Sequence, residues 1–137
     1  MKWAVPLSLT LVMVSAFLAK DVCGEKNVFV AVVDTDGVQK VAVLAGEYFF
    51  DPDHIIVTVN VPVEIYIRKE AGATPHAFVL KAPDAGMDIN ESLSTEPKKI
   101  TFRPTKTGNY PFYCDKKLLF FKSHRERGME GILEVRD

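Results

Sequence analysis

The chain has 137 residues, 47% of them hydrophobic and 26% charged, with 17 basic and 18 acidic side chains and a formal net charge of −1. That length and apolar content fit one globular domain and exclude a disordered chain. Near-neutrality excludes a strongly basic nucleic-acid binder and a polyacidic tail. Two cysteines exclude a disulfide-dense scaffold and a four-cysteine zinc site.

The chain opens on a short positive start, Met1-Lys2-Trp3, followed by an uncharged, mostly apolar run from Ala4 to Ala19. The run is short for a membrane span and suits the apolar stretch of a secretory leader. Residues 1–24 are therefore expected to be a signal peptide, cut after Gly24 or after Ala19, with an uncleaved membrane anchor as the alternative. Lys20-Asp21-Val22 before Cys23 is not the small, apolar approach that lipid attachment needs. Residues 25–137 then form a single exported domain, periplasmic or otherwise outside the cytoplasm. Thiols there tend to oxidise. If Cys23 leaves with the leader, Cys114 is alone, and a metal that holds it as thiolate explains its survival. A Cys23–Cys114 disulfide and a buried small hydrophobe are the alternatives.

From residue 28 onward the pattern is that of strands. Val28 to Val33 and Val38 to Leu44 are β-branched runs on either side of the turn Asp34-Thr35-Asp36-Gly37. Glu47 to Phe50 leads to Asp51-Pro52-Asp53. Ile55, Val57 and Val59 alternate with His54, Ile56 and Thr58, and Val63, Ile65 and Ile67 alternate with Glu64, Tyr66 and Arg68. Period two marks half-buried strands. Ala77 to Leu80 follows a Gly/Pro loop. Lys81 to Pro97 reads as a long connection with a helical turn near Ile89 to Leu93. Ile100 to Phe102, Asn109 to Cys114 and Gly131 to Val135 complete the set. Seven or eight short strands without a helical stripe predict an all-β, antiparallel sandwich or barrel.

Chemistry collects at four residues: His76 at a loop-to-strand junction, and Cys114, His124 and Met129 near the C-terminus. Imidazole, thiolate, imidazole and thioether are the ligand set of a blue-copper electron-transfer site. Soft sulfur suits Cu(I), imidazole suits both oxidation states, and a rigid β frame holds a compromise geometry between them.

The same residues carry a family resemblance. Gly108-Asn109-Tyr110-Pro111-Phe112-Tyr113-Cys114 resembles the Gly-x-Tyr-x-Phe-x-Cys strand of the cupredoxin (plastocyanin/azurin) family. His124 to Gly131 is similar to that family's second His, its axial Met and the Gly-Met-x-Gly frame. Phe50-Asp51-Pro52-Asp53-His54-Ile55, Asn60-Val61-Pro62-Val63 and Thr74-Pro75-His76-Ala77-Phe78 are similar to its upstream strand, turn and first-ligand junction. The likeness spans about residues 40–137. It implies a Greek-key β-sandwich, one mononuclear type 1 copper ion held by His76, Cys114, His124 and Met129, and one-electron transfer. Two departures stand out. Nine residues, Asp115 to Ser123, separate Cys114 from His124 where the family usually has only a few. Ala77 follows the first His where the family commonly has Asn or Ser, so no side chain there tethers the thiolate.

His54 is expected on the outward side of a strand, without function, and Met87 is only a reserve thioether. The insert Lys116-Lys117-Leu118-Leu119-Phe120-Phe121-Lys122 has two readings. Its apolar residues either fold back over the copper end, in a turn capped by Asp115, or form a docking patch rimmed by Lys116, Lys117, Lys122, Arg125 and Arg127.

Counting histidines separates the competing functions. A copper enzyme needs further metal centres, and only His54 remains after His76 and His124, so no catalysis is expected. A copper chaperone or storage protein and a metal-free binding module are the alternatives to an electron carrier. The expected partner is a redox protein, a cytochrome or a respiratory complex, and the chain is expected to be a monomer. Contact with nucleic acid is not expected, and contact with a membrane is expected only through an uncleaved leader.

Overall fold

Alternating apolar and polar side chains give each strand one face for a shared interior. The computed structural model describes residues 27–137, so the expected leader, its cleavage sites and Cys23 lie outside the described residues. The strands are β1 (Val28–Val30), β2 (Gln39–Gly46), β3 (Phe49–Asp51), β4 (His54–Thr58), β5 (Val63–Lys69), β6 (Ala77–Ala82), β7 (Met87–Ser92), β8 (Lys98–Phe102), β9 (Gly108–Tyr113) and β10 (Glu130–Arg136). Six of them form one sheet in the order β1-β4-β10-β9-β6-β7, and four form the other in the order β3-β2-β5-β8. The all-β sandwich is as expected.

Two details correct the sequence reading. Ten strands are described instead of seven or eight. The additions are β3, a three-residue strand on the edge of the smaller sheet, and β7, which replaces the expected helical turn. In β7, Met87 and Ile89 point inward while Asp88 and Asn90 face solvent, which is the strand period. A 3₁₀ turn, Pro83–Ala85, with left-handed Gly86 behind it, folds β7 back against β6. Nor is the pairing all antiparallel, because β4 runs parallel to both β1 and β10, and β2 runs parallel to β5.

Phe50 from the smaller sheet meets Phe78 and Phe112 from the larger one. Ring centroids lie 5.3 Å apart for Phe50–Phe112 and 5.1 Å apart for Phe78–Phe112, the separations at which aromatic pairs attract. All three rings are buried. Met87 is buried in the same core, which answers its packing role without a ligand role. Gly131, opposite Phe112 in the β9–β10 ladder, permits this packing: a Cβ there would sit 2.3 Å from Phe112 Cζ and 2.4 Å from the Asp53 carbonyl.

Gln39 is fully buried at the start of β2 and reaches the neighbouring sheet. Its Nε2 donates to the carbonyls of Thr58 (3.1 Å) and Val61 (3.3 Å), and its Oε1 accepts the Thr58 N–H at 2.6 Å. His54 is half-buried, with Nε2 2.8 Å from the Glu134 carboxylate across the β4–β10 pair.

Candidate metal centre

Three elements deliver the chemistry. The chain turns from Pro75 into β6, and His76 sits at that turn. Cys114 follows the last residue of β9. His124 opens the 3₁₀ turn Arg125–Arg127, which ends at left-handed Gly128 and passes Met129 into β10. Backbone hydrogen bonds lock these pieces together. The Cys114 N–H donates to the Met129 carbonyl (3.1 Å), the Met129 N–H to the His124 carbonyl (3.0 Å), and the Leu93 N–H to the His76 carbonyl (2.9 Å).

The donor atoms converge. Nδ1 of His76 lies 3.2 Å from Nδ1 of His124, and that nitrogen lies 3.4 Å from Sγ of Cys114. All three donor atoms fall within 4.8 Å of one another, and all three residues are buried. A four-coordinate ion with metal–nitrogen bonds near 2.0 Å and a metal–sulfur bond near 2.3 Å needs donor–donor edges of about 3.3 to 3.6 Å. The residues therefore fit a single small ion of soft or borderline character. Met129 is fully buried and bonded through its backbone to both Cys114 and His124.

Burial sets the protonation states. It pushes the Cys114 thiol above its ordinary value, against partial relief from the backbone N–H groups of Ala77 and Lys116. Burial likewise holds both imidazoles below the usual histidine range, helped at His76 by the neighbouring His124 and Lys69 and at His124 by Arg127. Without an ion, the site at neutral pH is a thiol with two neutral rings.

The missing tether is found in the backbone. Ala77 has no polar side chain, yet its N–H points at Cys114 Sγ from 3.3 Å. The long Cys114–His124 spacing is absorbed in a similar way. The His124 N–H donates to the Lys116 carbonyl at 2.8 Å, closing the insert at its base so that its extra residues loop outward and His124 returns to the site. The fold-back reading of the insert is not met: Leu118, Leu119, Phe120 and Phe121 are exposed, and the described structure places no helix and no Asp115 cap there. A cavity of about 490 Å³ opens beside its base, lined by Tyr48, Pro75, Leu118, Phe121, His124 and Arg127 among others.

Tyr48 is a site neighbour that sequence reasoning missed. It sits in the β2–β3 turn with φ +67°, its ring and that of His124 meet in a T-shaped contact at 5.1 Å, and the Arg127 guanidinium lies over the Tyr48 ring at 4.8 Å. Nothing in the Glu47-Tyr48 dipeptide signals this, because the contact depends on a turn 76 residues away in the chain from His124. Arg125 is similarly engaged, paired with Glu130 at 3.0 Å and stacked over Tyr113.

A family model described as a cupredoxin-like domain matches residues 8–128. The chain belongs to the cupredoxin-like family. Among solved structures, this cupredoxin-like chain is similar to the metal-binding domain of the Streptococcus pneumoniae D39 Cu(I)-exporting P-type ATPase CopA with Cu(I), at 22% identity and a TM-score of 0.63, covering 83% of this chain and 100% of that one. It is also similar to auracyanin from Roseiflexus castenholzii, at 19% identity and a TM-score of 0.56, covering 72% and 97%. A third similarity is to the periplasmic domain of cytochrome oxidase subunit II of Bradyrhizobium japonicum, at 15% identity and a TM-score of 0.50, covering 72% and 83%. These likenesses establish a shared cupredoxin-like fold. No curated protein matches the chain.

Proposed function

We propose that this cupredoxin-like protein is an exported, mononuclear type 1 copper protein that carries single electrons between redox partners. One observation carries the reading: Nδ1 of His76, Sγ of Cys114 and Nδ1 of His124 meet at ligand spacing inside a hydrogen-bonded β frame. His76, Cys114 and His124 would hold the ion as strong ligands, and the buried thioether of Met129 would add a weaker one. When bound, copper supplies the one-electron couple.

The chain's own residues supply the rest. Burial of His76, Cys114, His124 and Met129 themselves limits the access of water to the donors. The Ala77 N–H orients the sulfur and removes electron density from it, an outer hydrogen bond of the kind that tunes a metal. Backbone bonds between Cys114, His124 and Met129 resist rearrangement as charge changes. His54, held by Glu134, leaves no histidine for a second copper centre, which supports a non-catalytic role. A redox protein such as a cytochrome or a respiratory complex is the proposed partner; the likeness to a cytochrome oxidase subunit supports that class. Cu(I) transport is the second reading, favoured by the likeness to a domain solved with Cu(I) from a Cu(I)-exporting ATPase.

The test is the visible spectrum of the purified protein titrated with Cu(II). An intense band that saturates at one equivalent and bleaches with reductant is the expected result. Cys114→Ser should remove the band, and Met129→Leu should keep the ion but shift its potential. Tight Cu(I) binding with no coloured Cu(II) form would instead select the transport reading.

A further inference from the structure

We infer that the loop from Lys116 to Lys122 is a membrane-contact tip that inserts its apolar end into an anionic lipid surface. The inference stands on the loop alone and does not need the copper reading. Leu118, Leu119, Phe120 and Phe121 are 65%, 74%, 98% and 58% exposed. Four consecutive large apolar side chains open to solvent are far from the scattered exposure of ordinary surfaces. The Phe121 N–H donates to the Leu118 carbonyl at 2.9 Å, and Leu119 is left-handed at φ +47°, so the four sit on one tight turn at the loop's end.

Shape and charge choose the occupant. A protein partner must offer a preformed pocket to enclose such a projection, whereas fluid acyl chains close around every side of it without one. A side chain as open as Phe120 therefore gains most from lipid. Lys116, Lys117 and Lys122 bracket the apolar residues, and none of the three forms an ion pair among the described residues. Their long stems can lie along the apolar tip while the ammonium groups stay at headgroup level, where anionic lipid attracts them. Asp115 and Glu126 flank the segment, and Glu126 lies near Lys117 and Lys122, but Lys116, Lys117, Lys122, Arg125 and Arg127 outnumber them and leave this end of the molecule net positive. Because the Lys116 carbonyl bonds the His124 N–H, insertion would bring the His76–Cys114–His124 cluster down to the bilayer surface. The contact is separate from any leader at the N-terminus.

The experiment uses the full chain with Trp3→Phe, which removes the one native tryptophan, and with Phe120→Trp as a reporter at the tip. Vesicles of equimolar phosphatidylcholine and phosphatidylserine should shift its emission to the blue, and lipids brominated on their acyl chains should quench it. Vesicles of phosphatidylcholine alone, or added salt, should weaken both effects. In cosedimentation without the reporter, Phe120→Asp should reduce binding to the anionic vesicles at least about tenfold, and Lys117→Glu should reduce it about thirtyfold. Emission that stays unchanged on anionic vesicles overturns the proposal, even if the protein sediments with them through another segment. Concentration-dependent dimerisation that Phe120→Asp abolishes, with no lipid effect, would also overturn it and assign the tip to a second copy. A tip that binds an acidic redox protein but ignores lipid would do the same in favour of a protein partner.

Discussion

At Cys114 and the two histidines, the burial that gathers three donor atoms also sets how the metal-free protein responds to pH. The ordinary histidine value is 6.5, and both rings are held below it in the fold. As pH falls through that value the unfolded chain takes up protons before the native one does, so the fold loses stability. The thiol has the opposite sign. Its ordinary value is 9.0 and the fold raises it, so above that pH the unfolded chain sheds a proton first and stability falls again. The metal-free protein should therefore show a plateau in Tm between these two values and decline on both sides, measured by circular dichroism. His76→Gln with His124→Gln should flatten the decline just below pH 6.5; an unchanged acid limb would mean that other groups cause it. The three converging donor residues were readable in the sequence because their chemistry is rare: of two cysteines only Cys114 lies beyond the expected leader, and one Pro-His junction narrows the choice further. Tyr48 and the N–H of Ala77 were not readable. Their roles arise from where the backbone goes, and neither residue type announces a metal neighbour.

Among the strands, the ones with β-branched alternation were readable, and those built from weak strand formers were not. β5 and the middle of β2 follow period two in their buried positions. β7 does too, but Asp88, Asn90, Glu91 and Ser92 are disfavoured in strands, and only its pairing with β6 overrides that preference. Parallel pairing of β4 with β10 was also hidden, because period two says which face is buried and nothing about direction. Gln39 shows the same limit: a glutamine at a strand start reads as surface, yet here it ties β2 to the end of β4 across the two sheets. Gln39→Leu would preserve much of the volume but strand the Thr58 N–H and the carbonyls of Thr58 and Val61. Leaving such groups unpaired costs roughly 1–3 kcal/mol. The expected outcome is a midpoint shift in urea of that size without a change in slope, together with a Tm lower by on the order of 10 °C. A shift below about 0.5 kcal/mol would show that water replaces the amide.

Across the whole molecule, the sandwich separates a rigid centre from a projecting loop. The nine residues between Cys114 and His124 are length enough to crowd the site. The Lys116–His124 backbone bond instead closes the insert before its length can reach the three donors, and Asp115 and Ser123 lie on either side of that closure. The donors are held from behind by β6, β9 and β10, and the exposed quartet adds little packing to them. Replacing Leu118 to Phe121 by Asn-Gly, a pair suited to a tight turn, should therefore leave the site intact. Cu(II) titration of that variant should give the same band position and stoichiometry as the parent, and its Tm should stay within a few degrees. Binding to phosphatidylserine vesicles should fall to the level of Phe120→Asp. Loss of the band would mean that the apolar quartet helps to hold His124, and the division between centre and loop would fail with it.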